Sequence, residues 1–207
     1  MVSLTNRRSV MTLFSGVSDP YSHQIRMVLR EKGVAADVVE IEPDHKFEDL
    51  HTLNPEGTLP TLVDRDLALY DPTIIMEFLD ERFPHPPLLP VYPIARAKSR
   101  LIMYCMKRDW YSLYETIMSG NKTEAEKARK QLNESLIALT TSFGKKSFFM
   151  SDEFSLIDCY IAPLLWRLPQ LDIHLPASAN PIYDYADRIF ERDGFKASLT
   201  EVEKELR

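Results

Sequence analysis

The sequence predicts an α/β domain followed by an all-helical one. Three observations carry this. The first eighty or so residues alternate short apolar β-prone runs with amphipathic helical ones. The segment PHPPLLPVYP, Pro84 to Pro93, then holds five prolines in ten residues and cannot continue a helix. Beyond it, apolar residues recur only at helical spacing. The predicted boundaries are 9–83 for the α/β domain, 84–93 for a proline-rich linker and 94–207 for the helical domain.

Taken in order, residues 1–8 read as a polar tail, and Val10–Phe14 is apolar and β-prone. Pro20 opens a helix running to about Lys32, with Gly33 as its C-cap. Ala36–Ile41 alternates as a second strand, and Phe47–Leu53 reads as a loop or short helix. Thr61–Val63 is a short strand. The charged turn Asp64–Asp66 leads into Leu67–Tyr70. Asp71 and Pro72 then form an N-cap and N1 pair. Their helix is expected to bury Ile74, Ile75, Phe78 and Leu79 and to stop near Phe83.

After the prolines, Ile102, Met106, Trp110, Leu113 and Ile117 step by four, four, three and four, up to Gly120-Asn121. Leu132, Leu136, Leu139 and Phe143 form a second stripe. Ile157, Ile161, Leu164 and Leu168 form a third, opened by Ser155 with Asp158 three residues on, a capping box. A shorter helix covers Ile182–Arg192, and charged Glu201–Arg207 closes the chain.

With 207 residues and 44% hydrophobic content, a packed core is expected. The net charge of -6 argues against direct binding to nucleic acid, which needs a basic face. Cys105 and Cys159 form no CxxC and have no metal-ligand spacing with histidines, so no metal site is predicted. They read as reduced thiols, which fits a cytoplasmic protein. MVSLTNRRSV has no apolar run suited to a signal peptide, and no stretch reaches the length of a membrane span.

The chain resembles the glutathione transferase family, a thioredoxin-like domain joined to a helical domain. Three motifs carry the resemblance: Pro20-Tyr21-Ser22 opening a helix that ends Glu31-Lys32-Gly33, then Thr58-Leu59-Pro60, and the capping box from Ser155 to Asp158. Longer strings are similar to a bacterial branch of that fold whose members associate with RNA polymerase. They are RSVMTLFSG at Arg8–Gly16, YSHQIRMVLREKG at Tyr21–Gly33 and FLDERFPHPPLLPVYPIAR at Phe78–Arg96, with SDEFSLIDCYIAPLLWRLPQL at Ser151–Leu171 and FERDGFKASL at Phe190–Leu199.

The resemblance implies a glutathione site, and the residues contradict its chemistry twice. Asp19 stands where a transferase keeps a catalytic serine or cysteine. A carboxylate there disfavours a second negative charge, the glutathione thiolate. Asp19 equally suits a helix N-terminus. In transferases an acid or glutamine and then a serine grip the γ-glutamyl carboxylate, where this chain has Asp71-Pro72. Pro72 has neither a hydroxyl nor an N–H. Pro60 is implied to follow a cis peptide bond, and Leu59 retains the backbone groups that bond glutathione. Asp19, Leu59, Pro60, Asp71 and Pro72 therefore read as a vestigial glutathione site, with no catalytic residue and no cofactor. The alternative is a transferase rebuilt around a displaced hydroxyl at Ser15, Ser18, Tyr21 or Ser22.

The remaining candidate is the proline segment itself. A stiff segment loses little entropy on binding. Pro84, His85, Pro86, Pro87 and Tyr92 offer an imidazole and a phenol on such a frame. His85 has no second histidine close enough for a shared metal. By resemblance, the partner is RNA polymerase holoenzyme, through its sigma factor, and the chain is a homodimer. Its net acidity is expected to complement basic regions of that partner. Lys32, Arg96, Lys98 and Arg100 read as a small basic edge.

Overall fold

The computed structural model describes residues 10–43 and 50–207. The expected polar tail, the first residue of the expected α/β domain and the start of the loop at Phe47 lie outside the described residues. Tertiary contacts divide the chain into two units. One runs to Pro86 and takes in Asp193–Glu205; the other is Pro87–Arg192 with Leu206-Arg207.

The first unit is built on a four-stranded sheet in the order β2-β1-β3-β4. β1 is Thr12–Gly16, β2 Asp37–Ile41, β3 Thr61–Asp64 and β4 Leu67–Leu69. β1 pairs parallel with β2, Thr12 opposite Asp37, and antiparallel with β3, Thr12 opposite Val63. A central strand with both faces covered should be buried at every position, and β1 is. The strand begins at Thr12 rather than Val10, whose side chain is 53% exposed. The β3–β4 turn places Arg65 in the left-handed region, φ 57°.

Helix α1, Pro20–Glu31, joins the parallel pair. Gly33, at φ 62°, lets the chain leave that helix. α2 is the single turn Leu50–Leu53. α3, Pro72–Arg82, packs on α1. Its buried residues are Ile75, Met76, Leu79 and Asp80, while Ile74 is 57% exposed. The inner face is therefore rotated from the expected Ile74, Ile75, Phe78 and Leu79. One reason is Lys32 on the neighbouring helix, which draws Asp80 inward.

The chain's last turns belong to this unit. They are α10, Asp193–Lys196, and α11, Glu201–Lys204. Thr200 and Glu203 form a capping box, and Phe195, Ser198 and Glu203 are buried. The sequence reading assigned this segment to the helical domain. A buried carboxylate needs a buried cation, and the one it finds is Arg26 of α1.

The second unit is helical throughout. α4, Pro93–Met106, runs into a five-residue π turn, Lys107–Tyr111, and then α5, Ser112–Ser119. The π turn shifts the register of the apolar stripe. Met103 and Met106 are buried before the shift, Trp110 and Tyr111 within it, Tyr114 and Ile117 after it, and Leu113 is only half-buried. α6, Lys122–Ala138, starts with a capping box from Asn121 to Glu124 and is followed by the short α7, Thr140–Gly144. α8, Leu156–Trp166, is buried on nearly all sides. Asp158 at its start accepts from Phe149 N, Ser155 N and the Tyr185 hydroxyl. Burial holds the Asp158 carboxyl above the ordinary range, against those hydrogen bonds. α9, Asn180–Phe190, buries Tyr185 and Ile189 beside it.

Candidate functional site

The turn between β1 and α1 is where the resemblance places transferase chemistry, and its polar groups bond one another. Asp19 is the N-cap of α1. Its carboxylate accepts from Tyr21 N at 3.2 Å, Ser22 N at 2.7 Å and the Ser22 hydroxyl at 2.6 Å. The Ser22 oxygen in turn accepts from Gly16 N at 2.9 Å. Gly16 is required here: a Cβ on it would lie 2.7 Å from the Asp19 Cβ.

Two of the alternative hydroxyls are unavailable for the same reason. Ser22 is fully buried and committed to Asp19. Ser15 is also fully buried and accepts from Arg26 Nη1. Arg26 further donates to Ser198 O at 2.8 Å, to Gly16 O at 3.2 Å and to Glu203 Oε2 at 2.5 Å. Thr200 donates to Val17 O at 2.6 Å. The C-terminal segment thus fastens the β1–α1 turn from behind. His23 joins it through Ser198, 2.9 Å from Nε2. The Ser198 proton goes to Phe195 O, so the imidazole donates from Nε2. Ser18 and Tyr21 are half-buried.

The other parts of the transferase-like site are arranged around backbone. The Leu59–Pro60 peptide is cis. Leu59 packs against Phe14, Ile41 and Leu50. Asn54, fully buried, donates to Thr58 O and Thr61 Oγ1 and steadies the loop. Asp71 Oδ1 accepts from Thr73 N at 2.9 Å and Ile74 N at 3.1 Å, so this carboxylate too is spent on a helix start. Pro72 offers no donor at N1.

The proline segment is built in the opposite sense. Pro84, His85, Pro86 and Pro87 are exposed, and Tyr92 is 79% exposed. The His85–Pro86 peptide is a second cis bond, which the sequence did not signal. The loop up to Pro86 is held by Lys32. That ammonium donates to Phe83 O at 2.6 Å, Pro86 O at 2.7 Å and Asp80 Oδ1 at 2.7 Å. Three acceptors match its three protons. Lys32 is therefore a buried tie, not part of a basic edge as its sequence suggested. In the second unit, Leu88 O accepts from Leu156 N at 2.8 Å, and Leu88 and Leu89 are buried. The exposed prolines and His85 lie between these two anchors in sequence.

Both cysteines are free thiols, Cys159 buried and Cys105 half-buried. Among the described residues no cluster of three or more His, Cys, Asp or Glu suits a metal ion, and no helix is long and apolar enough to cross a membrane.

The model for the glutathione S-transferase N-terminal domain matches residues 14–87, and that for the C-terminal domain matches residues 95–193. The chain is 55% identical to a stringent starvation protein A homolog of Coxiella burnetii, over 97% of each chain. The chain belongs to the stringent starvation protein A family. A homolog from Pasteurella multocida is 54% identical over 96% of this chain and 94% of that one. Among solved structures, rice GST1 in complex with glutathione superposes with a TM-score of 0.83 at 21% identity, covering 96% of this chain and 95% of that one. That likeness is one of fold: the thioredoxin-like and helical domains are both present.

Sequence reasoning placed Asp19 and Asp71 as helix starts, which the structure shows, and it missed the buried roles of Lys32, Arg26 and Glu203. Lys32 sits one residue before a C-cap glycine, a position where exposed lysines are common. Glu203 lies in a charged C-terminal stretch that reads as solvated. The signal that could have found Glu203 is the spacing Thr200-x-x-Glu203, a capping box.

Proposed function

We propose that this protein is a transcription regulator that binds RNA polymerase holoenzyme, through its sigma factor, by presenting a protein surface. In this reading it adjusts promoter use under starvation or stress in the cytoplasm, without glutathione transferase activity. The observation that carries the reading is Asp19: the carboxylate at the transferase position is consumed by three hydrogen bonds that cap α1. A group so engaged stabilises a helix, and its negative charge disfavours a second one on a substrate thiol. Membership of a family named for starvation, rather than for transfer chemistry, supports the same reading.

The proposed contact surface is Pro84, His85, Pro86, Pro87 and Tyr92. Asp19, Leu59, Pro60, Asp71 and Pro72 are the remnant of a glutathione site. The protein acts as a homodimer. The outer stripe of α4 supports this: Ile94 is 75% exposed and Leu101 61% exposed, more apolar surface on one helix face than solvent favours.

The test is capture of RNA polymerase holoenzyme by the tagged protein, run beside a glutathione titration. Wild type is expected to retain holoenzyme and to give no saturable glutathione signal. Alanine at His85 with its flanking prolines should abolish capture while thermal stability stays unchanged. Tight glutathione binding with turnover of a generic electrophile, and no polymerase, would return the chain to the enzymes.

A further inference from the structure

The net charge of the chain points one way and the charge beside the loop points the other. The protein carries -6 overall. Yet within the first unit a cavity of about 570 Å3 opens against the proline loop, and its charged lining holds three cationic side chains against one carboxylate. Lys32, Asp64, Arg65, Arg82, Phe83 and His85 line it.

These charges differ in what they are free to do. Lys32 is fully buried and spent on Asp80 and two carbonyls. It shapes the cavity wall and offers no proton to a visitor. Arg82 is about half exposed. It faces Asp64 at 3.7 Å, a loose distance, and lies over the Phe83 ring at 5.5 Å. Arg65 is exposed at the tip of the β3–β4 turn, and no ion-pair partner for it occurs among the described residues. His85 is exposed at the rim. Against Arg65 and Arg82 stands one carboxylate, Asp64, already facing Arg82, so the accessible wall is net positive before His85 is counted.

We infer that this cavity receives an acidic segment of the protein partner, with Arg65 and Arg82 as the groups that pair with its carboxylates. The inference rests on the surface reading proposed above and gives it a chemical sense. An arginine fork binds a carboxylate with two parallel hydrogen bonds. Phe83 supplies an apolar wall, and the cavity is large enough for two or three side chains. A polynucleotide would also meet two arginines here, but it would have to approach a molecule of net charge -6, which raises its cost at every phosphate outside the cavity. The expected complementarity between an acidic protein and a basic partner is therefore reversed at the point of contact.

The experiment uses the full-length tagged protein and purified RNA polymerase holoenzyme, with a short duplex DNA as a second probe. The variants are Arg65→Glu, Arg65→Glu with Arg82→Glu, the matching lysine pair, and His85→Ala. Arg65→Glu removes no internal contact, so it guards against a folding artefact in the double variant. The double reversal is expected to weaken holoenzyme capture by about tenfold or more, the lysine pair to weaken it less, and wild-type capture to fall with added salt. Capture unchanged by the reversal but lost with His85→Ala would overturn the acidic-segment inference and leave the loop reading standing. Unchanged capture in every variant would remove both. Loss of duplex binding alone on reversal would make the occupant a nucleic acid and sink the inference.

Discussion

The β1–α1 turn and the Pro84–Pro86 loop belong to the same unit and are both held by buried cations. They use that support to opposite ends. Around Asp19, the strong polar groups bond one another: the carboxylate caps α1, Ser15 and Ser22 are fully buried, and Arg26 and Glu203 seal the turn from behind. Around His85, one buried ammonium satisfies the backbone, and the side chains are left facing water. The difference teaches where function can reside. A polar group with all its partners inside the fold contributes stability. A rigid loop whose side chains have few internal partners is able to bind something else.

The largest effect should come from the closed side. Glu203→Ala removes the carboxylate that faces buried Arg26 at 2.5 Å. It also strips Thr200 N of its acceptor. An uncompensated buried guanidinium costs about 3–5 kcal/mol, so chemical denaturation should show a loss of that order, and protease should cut first after the helical unit. An effect below about 1 kcal/mol would mean that Arg26 reaches solvent easily and that the strap is loosely held.

A smaller effect is expected on the open side. Lys32→Met keeps the aliphatic stem but leaves Asp80 and the carbonyls of Phe83 and Pro86 without their donor. Unsatisfied buried acceptors cost about 1–3 kcal/mol each, and more for a charged group. Here the exposed loop can turn its carbonyls to water, so the loss should come chiefly from buried Asp80 and total about 3 kcal/mol. The informative readout is partner capture. It should drop in Lys32→Met although Lys32 touches no partner, and it should not be restored by stabilising substitutions elsewhere.

The same contrast explains what the sequence revealed. Asp19-Pro20 and Asp71-Pro72 were legible because a capping acid before an N1 proline is a local signal, and local signals survive in one dimension. The proline segment was legible because proline forbids a helix whatever surrounds it. Lys32, Arg26 and Glu203 were not legible. Their roles depend on partners 48, 177 and 177 residues away, and a charged residue in a charged stretch reads as solvated until the fold buries it. The α4–α5 stripe was met at Met106, Trp110 and Ile117 but not at Ile102 and Leu113, for another reason. A five-residue π turn shifts the helical register, and a periodicity count assumes that the register is constant.

The sharpest test of the comparison is also the smallest in energy. Asp19→Ser installs the residue type that the proposed reading expects of a transferase here, while keeping an N-cap. Serine caps a helix nearly as well as aspartate, so the cost should be about 1 kcal/mol, chiefly from the lost bond to the Ser22 hydroxyl. If the β1–α1 turn were merely missing its nucleophile, this one change would produce measurable conjugation of glutathione to a generic electrophile. It should not, because Pro72 still lacks the N–H and hydroxyl that would hold the γ-glutamyl end. Adding Pro72→Ser should yield weak, saturable glutathione retention before any turnover appears. Conjugation by Asp19→Ser alone would mean that the turn had stayed open as a binding site, and that its closure by hydrogen bonds is shallower than the geometry indicates.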